Sequence, residues 1–160
     1  MRNLGQTVVF VWDNFGPGHA DRAEAIGLAL GKSHTVVGIE LAAKSETYEW
    51  KAESGTSFSK ITLTTEGASQ TKTSLFFRLI SRLLRYRGGA FFLCHYERPE
   101  ILAAACCLRL LRQDVFIMGD SKFDDYERRI GRELLKCIYY LPYKGAIASG
   151  VRSRDYLRFL

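Results

Sequence analysis

The chain carries Gly16-Pro17-Gly18-His19 directly after the apolar run Val8-Val9-Phe10-Val11-Trp12, with Arg22 one helical turn further on. Two glycines there let the backbone approach a ligand closely. The unpaired N–H groups of a following helix's first turn favour an anion such as a phosphate. Three more polar groups follow apolar runs: His95-Tyr96-Glu97-Arg98 after Cys94, Gly119-Asp120-Ser121-Lys122 after Met118, and Ser149-Gly150 after Ala148. Asp13 and Asn14 stand at the head of the glycine turn. Imidazole, carboxylate, hydroxyl and guanidinium on separate loops can bind a polar substrate and move a proton. Each also has a structural counterpart: a bare strand-to-helix turn, a histidine satisfied by backbone, Arg22 paired with Asp21 or Glu24, and Asp120 capping the next turn.

The elements that position these groups read as alternating strands and helices. A strand at Val8–Trp12 leads into a helix from His19 to about Lys32. A strand over Thr35–Ile39 follows, then a polar stretch holding Tyr48 and Trp50, and a strand over Ser59–Leu63. Next come a helix from about Ser74 to Arg87, a strand over Ala90–Cys94, a helix over Glu100–Arg112 and a strand over Asp114–Met118. A helix from about Tyr126 to Tyr140, a strand over Gly145–Ala148 and a helical turn from Ser153 complete the series. Strands that are continuous apolar runs, separated by helices, predict a doubly wound, mostly parallel α/β sheet with helices on both faces, Rossmann-like. In that fold the ligand crevice lies beyond the carboxyl ends of the strands, where all four polar groups fall.

Composition narrows the classes. With 160 residues, 47% hydrophobic and three prolines, the chain is sized for one domain with a sizeable core. The cysteines Cys94, Cys106, Cys107 and Cys137 lack zinc or disulfide-scaffold spacing and are expected as free, mostly buried thiols. His19, His34 and His95 are scattered, and Asp124-Asp125 reads as a helix-start charge pair, so no metal is expected. No apolar run suits a membrane span and no signal peptide is evident, which predicts a cytoplasmic protein.

The net charge of +6 equals the surplus between Thr71 and Arg112, eight basic residues against two acidic ones. A local anionic partner is expected rather than nucleic acid. In the helix after Ser74, Arg78, Arg82 and Arg85 group opposite a broad apolar face. This is either a core-packing helix with a solvated basic side or a peripheral contact with an anionic membrane surface.

Phe15-Gly16-Pro17-Gly18-His19-Ala20-Asp21-Arg22 resembles the G-P-x-H-x-x-R turn near the start of many family 4 (group 1) glycosyltransferases. Asp120-Ser121-Lys122-Phe123-Asp124-Asp125, Leu134-Leu135-Lys136, Gly150 and Ser153-Arg154-Asp155-Tyr156-Leu157 are similar to the later part of the same amino-terminal domain. The resemblance implies the acceptor-side domain of a retaining GT-B enzyme that moves a sugar from a nucleotide-sugar co-substrate to a saccharide or lipid-linked acceptor. It implies no bound metal and no covalent cofactor. A carboxy-terminal donor-binding domain would follow Arg158-Phe159-Leu160, and without it the 160 residues should be inactive. On this reading Gly16, Pro17, Gly18, His19 and Arg22 approach the donor phosphates. Asp120, with His95 as competitor, accepts or orients the acceptor hydroxyl. Asp13, Asn14, Tyr96, Arg98, Ser121 and Lys122 are acceptor-side candidates.

The alternative is a stand-alone, non-catalytic α/β domain that binds a phosphorylated ligand or a protein partner. A dinucleotide oxidoreductase fits poorly, since Asp21 stands where a third glycine belongs and Glu40 alone cannot supply the ribose contact. A receiver domain would want several acids near the first strand, and only Asp13 is there.

Overall fold

The structure is a computed structural model that describes residues 7–43, 55–64, 71–122 and 129–160. Tyr48, Trp50, Phe123, Asp124, Asp125 and Tyr126 lie outside the described residues. Six strands, β1 (Thr7–Trp12), β2 (Thr35–Ala42), β3 (Ser59–Thr64), β4 (Ala90–Leu93), β5 (Asp114–Gly119) and β6 (Gly145–Ala148), form one parallel sheet in the order β3-β2-β1-β4-β5-β6. Five helices, α1 (Pro17–Leu30), α2 (Lys72–Leu83), α3 (Pro99–Leu110), α4 (Ile130–Tyr140) and α5 (Val151–Phe159), accompany it. This is the Rossmann-like α/β order, whose direction reverses between β1 and β4.

The alternation of side chains along β1 divides the core into two layers. Val9 and Val11 point to one face with Val37, Ile39, Phe91 and Leu93, where Leu75, Leu79 and Leu83 of α2 and Ile101, Ala105 and Leu108 of α3 cover them. Phe10 and Trp12 point to the other face, against Phe15 and against Ala20 and Ala23 of α1. Phe10 stacks between Trp12 and Phe92, at ring-centroid distances of 5.3 and 5.1 Å.

Several boundaries shift from the expected ones for local reasons. Helix α1 starts at Pro17 rather than His19, because proline's missing N–H and fixed φ suit the first helical position. It ends at Gly31, whose φ of 57° is left-handed. Helix α2 starts at Lys72, capped by Thr71, whose hydroxyl accepts from the Ser74 amide, and tightens into a 3-10 turn over Leu84–Tyr86. Helix α5 opens at Val151, two residues before Ser153. The buried Leu75–Leu79–Leu83 row makes α2 a core-packing helix, and Arg78 donates to the Leu63 carbonyl.

The cysteines are free, but Cys106 is exposed and the other three are half-buried, so the expectation of mostly buried thiols is corrected. Cys106 lies off the α3 face that carries Ile101, Ala104, Ala105 and Leu108 into the core. No helix among the described residues is long and apolar enough to cross a membrane.

Candidate functional site

The turn after β1 is fixed from beneath by a carboxylate. Glu40, in β2 and 1% exposed, accepts the Phe15 amide at 2.9 Å through Oε2. Its Oε1 takes the Thr62 hydroxyl at 2.5 Å and the Lys60 ammonium at 2.9 Å. Asn14 donates to the carbonyls of Ala42 and Ala43, and the Asp13 carbonyl accepts the amides of Leu41 and Ala42. Glu40 therefore has a structural task, which agrees with the poor dinucleotide reading. Gly38 leaves room for the Phe15 ring, since a Cβ there would lie 2.2 Å from Phe15 Cζ.

On that base Gly16 caps α1 and its carbonyl accepts the amides of His19 and Ala20. Pro17 has no N–H to offer. The exposed Gly18 thus supplies the first-turn amide that has no protein acceptor among the described residues, with open space around its Cα. That is the anion-binding arrangement of a helix N-terminus.

His19 stacks on Trp12 with ring centroids 4.8 Å apart, and its buried Nδ1 has no hydrogen-bond partner among the described residues. Burial first, then the charges of Arg22 and His95, push the imidazole below its ordinary pKa, while Asp120 pulls the other way. His19 is therefore neutral at neutral pH.

His95 is the opposite case. It sits at φ 59°, an uncommon left-handed conformation for a side chain of its size. A hydrogen bond to the Cys94 side chain and a second to Glu97, with Nδ1···Oε1 at 3.3 Å, outweigh burial and raise it to about 10. A protonated imidazole donates hydrogen bonds and stabilises negative charge; it does not accept a proton. Asp120 is exposed at the end of β5.

Two cavities meet at Asp120. One, of about 310 Å³, is lined by Trp12, His19, Arg22, Cys94, Asp120 and Ser149 among others. The second, of about 350 Å³, lies towards α4 and is lined by His95, Tyr96, Glu97, Asp120, Ser121 and Tyr139 among others. Cys94, Met118, Gly119 and Asp120 form their common wall. A larger hollow of about 470 Å³ near β6 and α5 includes neither histidine nor Asp120, so it lies away from this chemistry.

Two acceptor-side candidates are engaged with each other. Arg98 binds the Asp13 carboxylate and also Glu100, with Nη2···Oε1 at 2.6 Å, clamping the loops after β1 and β4 together. Lys122 is exposed and lines neither cavity. Tyr96 packs edge-on against Tyr140 at 4.8 Å and so ties the loop after β4 to α4. Sequence reasoning missed Glu40 as the support of the turn, Trp12 as the platform of His19, and Tyr139 and Arg132 in the second cavity. Only Glu40 carried a signal, as a charge within an apolar strand. Among the described residues no three His, Cys, Asp or Glu side chains gather to hold a metal ion.

The fold and crevice define a doubly wound α/β domain with an open site at its topological switch point. No family model matches the chain, and no curated protein matches it. A solved structure to which it is similar is a UGT transferase from Siraitia grosvenorii in complex with UDP. The identity is 14% and the TM-score 0.38, over 72% of this chain and 28% of that one. Neither the fold nor the site is argued from that likeness.

Proposed function

We propose that this chain is the acceptor-side half of a GT-B glycosyltransferase, which transfers a sugar from a nucleotide-sugar donor to a saccharide or lipid-linked acceptor with retention at the sugar carbon. The observation that carries this reading is the meeting of a neutral His19, a cationic His95 and the exposed Asp120 around two cavities that share a wall, with Gly16, Pro17 and Gly18 next to His19 in the chain but outside the lining of both. The motif resemblance from Phe15 to Arg22 supports it further.

In this mechanism the Gly18 amide and the positive end of α1 stabilise the charge that develops on the leaving phosphate. His19, which lines the first cavity, hydrogen-bonds substrate there as a neutral imidazole. Asp120 orients the acceptor hydroxyl from the common wall. The bond from the sugar carbon to the phosphate oxygen breaks, the bond to the acceptor oxygen forms, and the acceptor's proton passes to the leaving phosphate. His95 adds positive charge near the reacting centre.

The test is transfer from a panel of nucleotide sugars by a native polypeptide carrying these 160 residues. Product should form, and Asp120→Asn should lower kcat by roughly 10²-fold or more with unchanged melting. Equal turnover in Asp120→Asn would remove that residue from the mechanism, and absence of product with every donor would remove the reaction.

A further inference from the structure

Of the four cysteines, all of them described, only Cys94 lines either cavity of the crevice. It is the residue after β4, where its amide donates to the Val11 carbonyl at 3.1 Å and so extends the pairing of β4 with β1. That bond fixes its backbone at the switch point. The half-buried side chain lies on the common wall, with the cavity of about 310 Å³ on one side and that of about 350 Å³ on the other. The transfer proposed above gives this thiol no task.

Its neighbours suit it to one. His95, held at φ 59°, hydrogen-bonds the Cys94 side chain and also Glu97, with Nδ1···Oε1 at 3.3 Å. Thiol, imidazole and carboxylate stand in the order of an activated nucleophile, its hydrogen-bonding partner and the group that orients that partner. A cationic imidazole beside a sulfur favours the thiolate, which is the form that attacks. The other two imidazoles are engaged elsewhere, His19 stacked on Trp12 and His34 beside the Ser33 hydroxyl at 2.9 Å. Among the other thiols, Cys106 is exposed on α3 and Cys137 donates to the Leu160 carbonyl at 3.3 Å. Access alone favours Cys106, whereas the arrangement of neighbours favours Cys94.

We infer that Cys94 is a modification site for small disulfides, forming a mixed disulfide inside the crevice. The Cys94 sulfur attacks one sulfur of the disulfide, whose S–S bond breaks as the new one forms. The departing half leaves as a thiolate and takes up the proton that Cys94 gives up, so Cys94 is oxidised and half of the disulfide is reduced. The attached group fills the space at the common wall. Oxidising conditions thereby close both cavities, and a thiol reductant reopens them.

Treatment of the folded 160-residue chain with oxidised glutathione, with adducts located over time by peptide mass spectrometry, tests this. It needs no sugar donor, so its failure is distinct from that of the transferase reading. Cys94 should be modified at least about tenfold faster than the more exposed Cys106. In urea the two rates should converge, a comparison within one chain that requires no substitution. His95→Asn, which tolerates φ 59°, should slow Cys94 about tenfold and leave Cys106 within about twofold. The mixed disulfide should shift the amides of His19 and Ser121, and dithiothreitol should restore them. Modification led by Cys106, equal rates at the two thiols in the folded chain, or an unchanged Cys94 rate in His95→Asn would overturn the inference. An adduct at Cys94 that left the His19 and Ser121 amides in place would overturn its seat in the crevice.

Discussion

His95 and His19 titrate in opposite senses, and the difference is measurable. For His95 the folded pKa lies above the ordinary 6.5, at about 10. Its stabilising contribution is full below 6.5 and is lost as pH rises through about 10. The melting temperature of the wild type should therefore fall across that window more than that of His95→Asn, a variant that still tolerates φ 59°. Parallel melting curves from pH 6 to 10 would contradict the Cys94 and Glu97 contacts. His19, held below its ordinary value chiefly by burial, loses stability as pH falls below 6.5. His19→Gln should flatten the acid side of the same curve. The placement of the two histidines beyond the carboxyl ends of β1 and β4 was legible because each follows a strand that announces itself as an apolar run. Their charge states were not, since these depend on Trp12, Arg22, Cys94 and Glu97 as neighbours in space. The same holds for Arg98 and Asp13, whose pairing spans 85 residues.

At the scale of the element, the turn before α1 depends on two residues of β2, Gly38 and Glu40, of which only Glu40 stands out in the sequence, as a charge within an apolar strand. Gly38→Ala would place a methyl group against the Phe15 ring, and overpacking of this kind costs about 1–3 kcal/mol. Urea unfolding should show that loss, with the melting of Phe15→Leu, Gly38→Ala partly restored. Glu40→Leu is expected to cost more, about 3 kcal/mol, because it leaves the buried Phe15 amide and the half-buried Lys60 without their acceptor. Equal stability in Glu40→Leu would mean that the turn is held by Asn14 and the backbone alone. The strands and helices themselves were readable almost throughout, as β-branched and aromatic runs between helical periods. Boundaries moved where a cap or a proline decides them, as at Thr71 and Pro17.

Across the whole molecule, alternating elements predicted the parallel sheet, and the observed order puts the switch point between β1 and β4, where the glycine turn and His95 stand. The charge map was less legible. The surplus from Thr71 to Arg112 accounts for the net charge, yet residues 129–160 carry a second basic concentration balanced by acids elsewhere in the chain. Only the fold shows that this second region surrounds an apolar helix face. The central claim is that the switch-point crevice receives the phosphates of a nucleotide ligand at the start of α1. The most direct measurement is a titration of the ¹⁵N-labelled chain with inorganic pyrophosphate, the group the claim concerns, followed amide by amide. The account predicts weak, fast-exchange shifts concentrated at Gly16, Gly18, His19 and Arg22, with smaller ones at Asp120 and Ser121, and their loss in Gly18→Pro. Shifts centred on the hollow near β6 and α5, or none at millimolar ligand, would contradict it.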